Sequence, residues 1–142
     1  MNVSAKTEYA CIAVLELAAN YGSGEPVRIR KIAELHGIPS RFLVQILLQL
    51  KGAGLVNSTR GASGGYQLIK DPNDISLGDV MAVIDGQSQE VTSSAGVATA
   101  TSNVLLDSWR HVSQVQREML DDVTFADLLE RVSGQTEKMY YI

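Results

Sequence analysis

The chain has 142 residues, 12 Lys and Arg against 16 Asp and Glu, and 45% of it is hydrophobic. That length fits one domain, or a small domain with an appended oligomerisation element, and suffices for a core without disulfide staples. A single cysteine excludes an intramolecular disulfide and a multi-thiolate metal site, and no apolar run approaches the roughly 18 residues of a membrane span.

The N-terminal stretch interrupts its apolar positions with Lys6, Glu8 and Glu16, unlike a signal peptide. A cytoplasmic protein with no membrane partner is expected. The net charge of −4 is unevenly spread: residues 1–70 hold eight Lys/Arg and four acids, whereas residues 71–142 hold four and twelve. The split points to a polyanionic partner for the N-terminal half alone.

Residues 4–20 carry Ala10, Ala13, Val14, Leu17 and Ala18 at helical spacing, which predicts a first helix. A turn over 21–26 follows, and Ile29, Ile32, Ala33 and Leu35 predict a second helix over 28–36. Gly37 suits the left-handed residue that ends a helix, and Pro39 suits the first position of the next. Phe42, Leu43, Ile46, Leu47 and Leu50 then form one buried stripe, ended by Gly54. Strand-like runs over 55–59 and 66–69 flank a glycine-rich loop, which makes a hairpin.

After Lys70 the composition changes. Ser76 and Asp79 form a capping-box pattern, opening a helix that runs through Ile84. Residues 87–103 are small and polar and predict a flexible loop. A long helix over 104–122 follows, with Leu105, Trp109, Val112, Val115 and Met119 on one face. Thr124 and Asp127 repeat the capping pattern and announce a last short helix.

The expected fold is mainly α with a small β-hairpin: a winged helix-turn-helix domain over 1–70, and a helical dimerisation and regulatory region over 71–142. The B-DNA major groove is about 12 Å wide and admits one helix, read from its N-terminal residues. With the third helix's apolar stripe buried, Ser40, Arg41, Val44, Gln45, Leu48 and Gln49 face outward. Ser40, Arg41 and Gln45 are groove-type donors and acceptors, and an apolar Val44 or Leu48 can meet a thymine methyl or pack elsewhere in the fold. Arg60 stands at the hairpin tip before Gly61-Ala62-Ser63-Gly64-Gly65, where small residues let backbone N–H groups approach phosphate. An arginine there can enter a narrow minor groove.

The string Leu55-Val56-x-Ser58-x-Arg60-Gly61-x-x-Gly64-Gly65-Tyr66-x-Leu68 resembles the wing signature of the Rrf-two family of bacterial transcription regulators. Ser4-x-Lys6-x-x-Tyr9-Ala10, and Ile32-Ala33, Gly37-Ile38 and Leu43-x-Gln45-Ile46-Leu47, are similar to its N-terminal part. The ending, from Thr124-x-x-Asp127-Leu128 to Met139-Tyr140-Tyr141-Ile142, resembles the family's cysteine-metabolism repressors. The resemblance implies a homodimer, formed mainly through the long helix, on a pseudo-palindromic operator in double-stranded DNA. It implies that Lys6 contacts phosphate, and that Ser40, Arg41 and Gln45 lie in the major groove. Thr59, Arg60 and the glycine-rich tip would make the wing contact, with Arg28, Pro39 and Val44 completing the interface. Val44 stands where the family's cluster-binding regulators carry an acidic base-reading residue, so the resemblance leaves the recognised sequence open.

Cluster-binding members hold three cysteines in the loop before the long helix, whereas residues 87–103 contain none and the one thiol is Cys11. No iron–sulfur cluster and no other cofactor is expected. Cys11, in an apolar context with Glu8 nearest in sequence, reads as a core thiol rather than a redox switch. The signal is left open between a partner protein, a small-molecule effector, the thiol and none.

Gly61-x-Ser63-x-Gly65 also spells a serine-hydrolase elbow, but that motif needs a following helix and a histidine base, and here a strand follows. The tip is no phosphate loop of the Walker type, because Lys and Ser/Thr do not follow its glycines. His36, His111 and Cys11 lack metal-ligand spacing. A winged helix used only for protein docking is the nearer rival. Against it stand seven Lys/Arg and one acid, Glu34, between residues 26 and 70.

Overall fold

The computed structural model describes residues 1–86 and 90–140. Six helices run in order: α1 Ala5–Ala19, α2 Ile29–His36, α3 Ser40–Gly52, α4 Leu77–Asp85, α5 Ala100–Asp122 and α6 Phe125–Tyr140. Between α3 and α4 lie β1 Val56–Thr59, β2 Gly65–Leu68 and a 3-10 turn, Pro72–Asp74.

The stripes read from the sequence are the core. All five apolar positions named for α1 are buried, as are Leu43, Ile46, Leu47 and Leu50 of α3. Phe42 is half-buried and meets Tyr9 with ring centroids 5.9 Å apart, a tilted geometry that aromatic pairs favour. Helix α1 is the central post, packed against α3, α4 and α6. Phe125 at the start of α6 is fully buried in the same cluster as Leu17 and Ile46.

Gly37 adopts φ 64° at the end of α2, a left-handed conformation that an L side chain resists. Pro39 is the N-cap of α3 rather than its first residue, and its carbonyl accepts from Phe42 N at 3.1 Å. The expected position is therefore off by one residue. The hairpin pairs Val56 with Leu68 and Thr59 with Gly65, antiparallel.

Capping fixes the C-terminal helices. Ser76 and Asp79 exchange hydrogen bonds of 3.0 and 2.9 Å across the start of α4, as their spacing predicts, and Thr124 with Asp127 repeats the exchange at α6. Two boundaries differ from expectation. Helix α5 starts at Ala100, because Thr99 and Ser102 form a further capping box; the expected loop is thus shorter, and residues 87–89 lie outside the described residues. Helix α6 has 16 residues and is not short: it continues through Gly134, with Leu128 and Leu129 packed on the core. Tyr141 and Ile142 lie outside the described residues.

Thr7 is buried and donates to Asp85 Oδ2 at 2.7 Å, while Ser4 Oγ caps α1 by accepting from Thr7 N at 3.1 Å. Among the described residues this Thr7–Asp85 bond is the one hydrogen bond that joins residues 1–70 to 71–142. No described helix is long and apolar enough to cross a membrane.

Candidate nucleic-acid interface

Burial of the α3 stripe leaves the opposite face of that helix to solvent. Ser40, Arg41, Val44, Gln45 and Leu48 are all exposed there. Gln49, expected to face outward with them, is half-buried, and its Oε1 is enclosed without a hydrogen-bond partner. The Arg41 guanidinium lies over the Phe42 ring, 5.1 Å from its centroid. A cation held against an aromatic face has fewer orientations to lose on binding.

The wing is fastened to the entrance of α2. Val27 and Tyr66 form an isolated antiparallel bridge, Val27 N to Tyr66 O at 2.9 Å and Tyr66 N to Val27 O at 2.8 Å. That bridge explains Gly65, where an added Cβ would lie 2.5 Å from the Val27 carbonyl oxygen. It also sets Arg28, the residue after Val27, beside the wing. Arg28 is the N-cap of α2, and its guanidinium, which has donors but no acceptor, cannot cap that helix.

Arg28, Thr59, Arg60, Gly61, Gly64 and Gly65, all expected at the interface, line one crevice. Its other walls are Ile29, Leu48, Lys51, Ser58 and Tyr66, and its volume is about 530 Å³. Lys6 is half-buried in the first turn of α1. Pro39, Ser40, Arg41, Val44, Gln45, Ala62 and Ser63 are exposed and do not line the crevice. The sequence reading missed Lys51, Ser58 and Tyr66. Lys51 had a signal, because it follows Arg41, Val44 and Leu48 at helical intervals and so shares their face.

A second surface lies on α5. Leu105, Trp109, Val112, Val115 and Met119 are exposed, from 40% for Val115 to 66% for Met119. Val112, Val115 and Met119 line an apolar groove of about 530 Å³ together with Met1, Leu120 and Val123.

Cys11 is half-buried against the core. Burial first, and the Asp85 carboxylate second, push its thiol up to about 11. The acid concerned is thus Asp85 from α4, not its sequence neighbour Glu8. Glu16 instead pairs with His36, Oε1 to Nε2 at 2.7 Å.

Three helices, the third with its outer face exposed, followed by a two-stranded wing define a winged helix-turn-helix protein. The Rrf2 family, described as an iron-dependent transcriptional regulator, matches residues 3–131. The HTH-type transcriptional regulator CymR of Bacillus subtilis is 33% identical over 143 residues, with both chains covered in full. The structure of CymR (YrzC), the global cysteine regulator of B. subtilis, superposes with a TM-score of 0.79 at 30% identity, covering 92% of this chain and 98% of that one. The structure of T. potens IscR gives 0.74 at 34% identity, with 93% and 88% covered. The chain belongs to the Rrf2 family and is an HTH-type transcriptional regulator.

The donors present do not fit a thiolate-held iron centre. Residues 87–103 contain no cysteine, Cys11 lies apart on α1 as a neutral thiol, and a cluster needs several converging thiolates. Among the described residues no group of three or more His, Cys, Asp or Glu is placed to hold a metal.

Proposed function

We propose that this regulator binds double-stranded DNA sequence-specifically, as a homodimer on a pseudo-palindromic operator, and that it acts as a repressor in the cytoplasm. Residues 1–70 serve as the reading head and residues 71–142 as the dimerisation and regulatory region. One observation carries the reading. The exposed face of α3, from Ser40 through Leu48, runs into a crevice walled by Arg28, Lys51 and Arg60.

Each part then has a role set by its chemistry. Ser40, Arg41 and Gln45 read base edges, Val44 meets a thymine methyl, and Arg60 enters the adjacent minor groove. Lys6 and Arg28 hold phosphates, while the small residues Gly61 to Gly65 let the backbone come close. The α5 stripe from Leu105 to Met119 is too wide to leave in water and pairs two protomers. Two heads about 34 Å apart then read half-sites one helical turn apart.

Fluorescence anisotropy with a labelled AT-rich duplex tests the reading. Affinity that falls steeply with salt is expected, because each neutralised phosphate releases condensed counterions. Duplex binding that is absent at low salt would refute it and leave a protein-docking module. Sequencing the genomic fragments retained by the purified protein would give the operator and the regulated genes together.

A further inference from the structure

We propose that the crevice between α2, α3 and the wing seats one phosphate of the DNA backbone among Arg28, Lys51 and Arg60. Lys51 is thereby a further DNA-contacting residue. The proposal rests on the DNA-binding reading above and assigns one contact within it.

The charge arrangement is the first argument. Arg28, Lys51 and Arg60 come from three separate elements, and all three are exposed. Among the described residues none of them has a carboxylate within 4.0 Å, whereas Arg30 pairs with Glu34 at 2.9 Å and Arg110 approaches Glu90 at 3.8 Å. No acid lines the crevice, in a chain whose acids outnumber its Lys and Arg. Three like charges around one concavity repel each other, and an anion seated between them relieves that repulsion. The walls formed by Ile29, Leu48 and Tyr66 are largely apolar and concentrate the field.

The second argument is how Lys51 is held. Its Nζ donates to Ser58 Oγ at 2.7 Å, which ties the last turn of α3 to β1. An ammonium has three donors, so two remain for an anion. Ser58 Oγ accepts from Lys51, which leaves its own O–H to donate. The seat thus has oriented donors as well as charge, and a phosphate has the acceptor oxygens to meet them.

The third argument is position. Lys51 lies three residues beyond Leu48 and seven beyond Val44, on the face of α3 expected to lie against the duplex. A helix docked by its N-terminal residues in the major groove brings its C-terminal turn out toward a flanking strand. The occupant is therefore a backbone phosphate rather than a base.

The test is anisotropy of the full chain with an AT-rich and a GC-rich duplex of equal length, across a salt series. Lys51→Met is expected to weaken both duplexes by the same factor and to reduce the slope of log affinity against log salt by about 0.9, the value for one phosphate contact. Lys51→Arg should restore the slope, whereas Ser58→Ala, which removes a neutral donor of the seat but no charge, should weaken both duplexes by one common factor. If Lys51→Met keeps the wild-type slope, or weakens one duplex alone, Lys51 acts by setting the wing and the phosphate seat is wrong. Wild-type protein without salt-dependent duplex binding would overturn the DNA-binding reading itself, a result visible before any variant is made.

Discussion

Val27 and Tyr66 exchange both backbone hydrogen bonds, at 2.9 and 2.8 Å, although 39 positions separate them in sequence. This single bridge fixes the wing against the entrance of α2, and so fixes Arg28 relative to Arg60. Its geometry leaves no room for a side chain at position 65, where φ is 155° and a Cβ would meet the Val27 carbonyl.

Gly65→Val is therefore expected to break the bridge. The loss should be about 1–3 kcal/mol in a urea melt, the range for backbone strain at a special conformation, with a parallel fall in duplex affinity. A variant with wild-type stability and affinity would show that the bridge is not what holds the wing.

Arg60→Ala should cost about 1–3 kcal/mol of affinity and should cost more on AT-rich than on GC-rich DNA, because narrow A·T minor grooves concentrate negative potential. Anisotropy on both duplexes measures the difference. Equal losses would confine Arg60 to the phosphate at the crevice and take it out of the minor groove.

Trp109→Glu and Val112→Glu place charges on an already exposed stripe, so the protomer fold should survive, with circular dichroism unchanged. Sedimentation at micromolar concentration should shift from dimer to monomer, because a buried unpaired charge at an interface is strongly unfavourable. A wild-type protein that is itself monomeric would remove the stripe from the mechanism.

The Cys11 thiol, pushed up to about 11 by burial and Asp85, is neutral at physiological pH. Its alkylation by iodoacetamide should be slow at pH 7 and climb until well above pH 9, since only the thiolate reacts. The linkage has a definite sign. The folded-state value lies above the ordinary 9.0, so the stabilisation from keeping this thiol neutral is whole below about pH 9 and is lost as pH rises toward 11. Cys11→Ala should flatten that alkaline decline.

Much of this was legible in the residues. The turn between α2 and α3 is punctuated by Gly37 and Pro39, and the wing by glycines between β-capable runs, so those elements carry their own local signals. The Val27 bridge has none: one residue pairing at long range leaves no periodicity. The start of α5 was hidden because Thr99 to Ser102 is as small and polar as the loop before it, and a cap is visible only once a helix is known to follow. The last helix was expected to be short, yet α6 runs through Gly134 to Tyr140, with Leu128 and Leu129 packed on the core and the roughly 1 kcal/mol that glycine costs in a helix overcome. Gln49 looked free on a helical wheel, which shows the face of α3 but not what closes over its edge.

Apolar packing joins residues 1–70 to the C-terminal helices in one core, with Leu17, Ile46, Val80 and Phe125 in the same cluster, and such close packing resists sliding. The Thr7–Asp85 bond does have a direction, and it acts where α4 ends and the segment toward α5 begins. The pin adds a directional contact, made by the buried Thr7 hydroxyl, to that packing. A change at the base of that segment that withdraws Asp85 would leave the buried Thr7 hydroxyl without this acceptor, a loss felt on both sides because one core spans them.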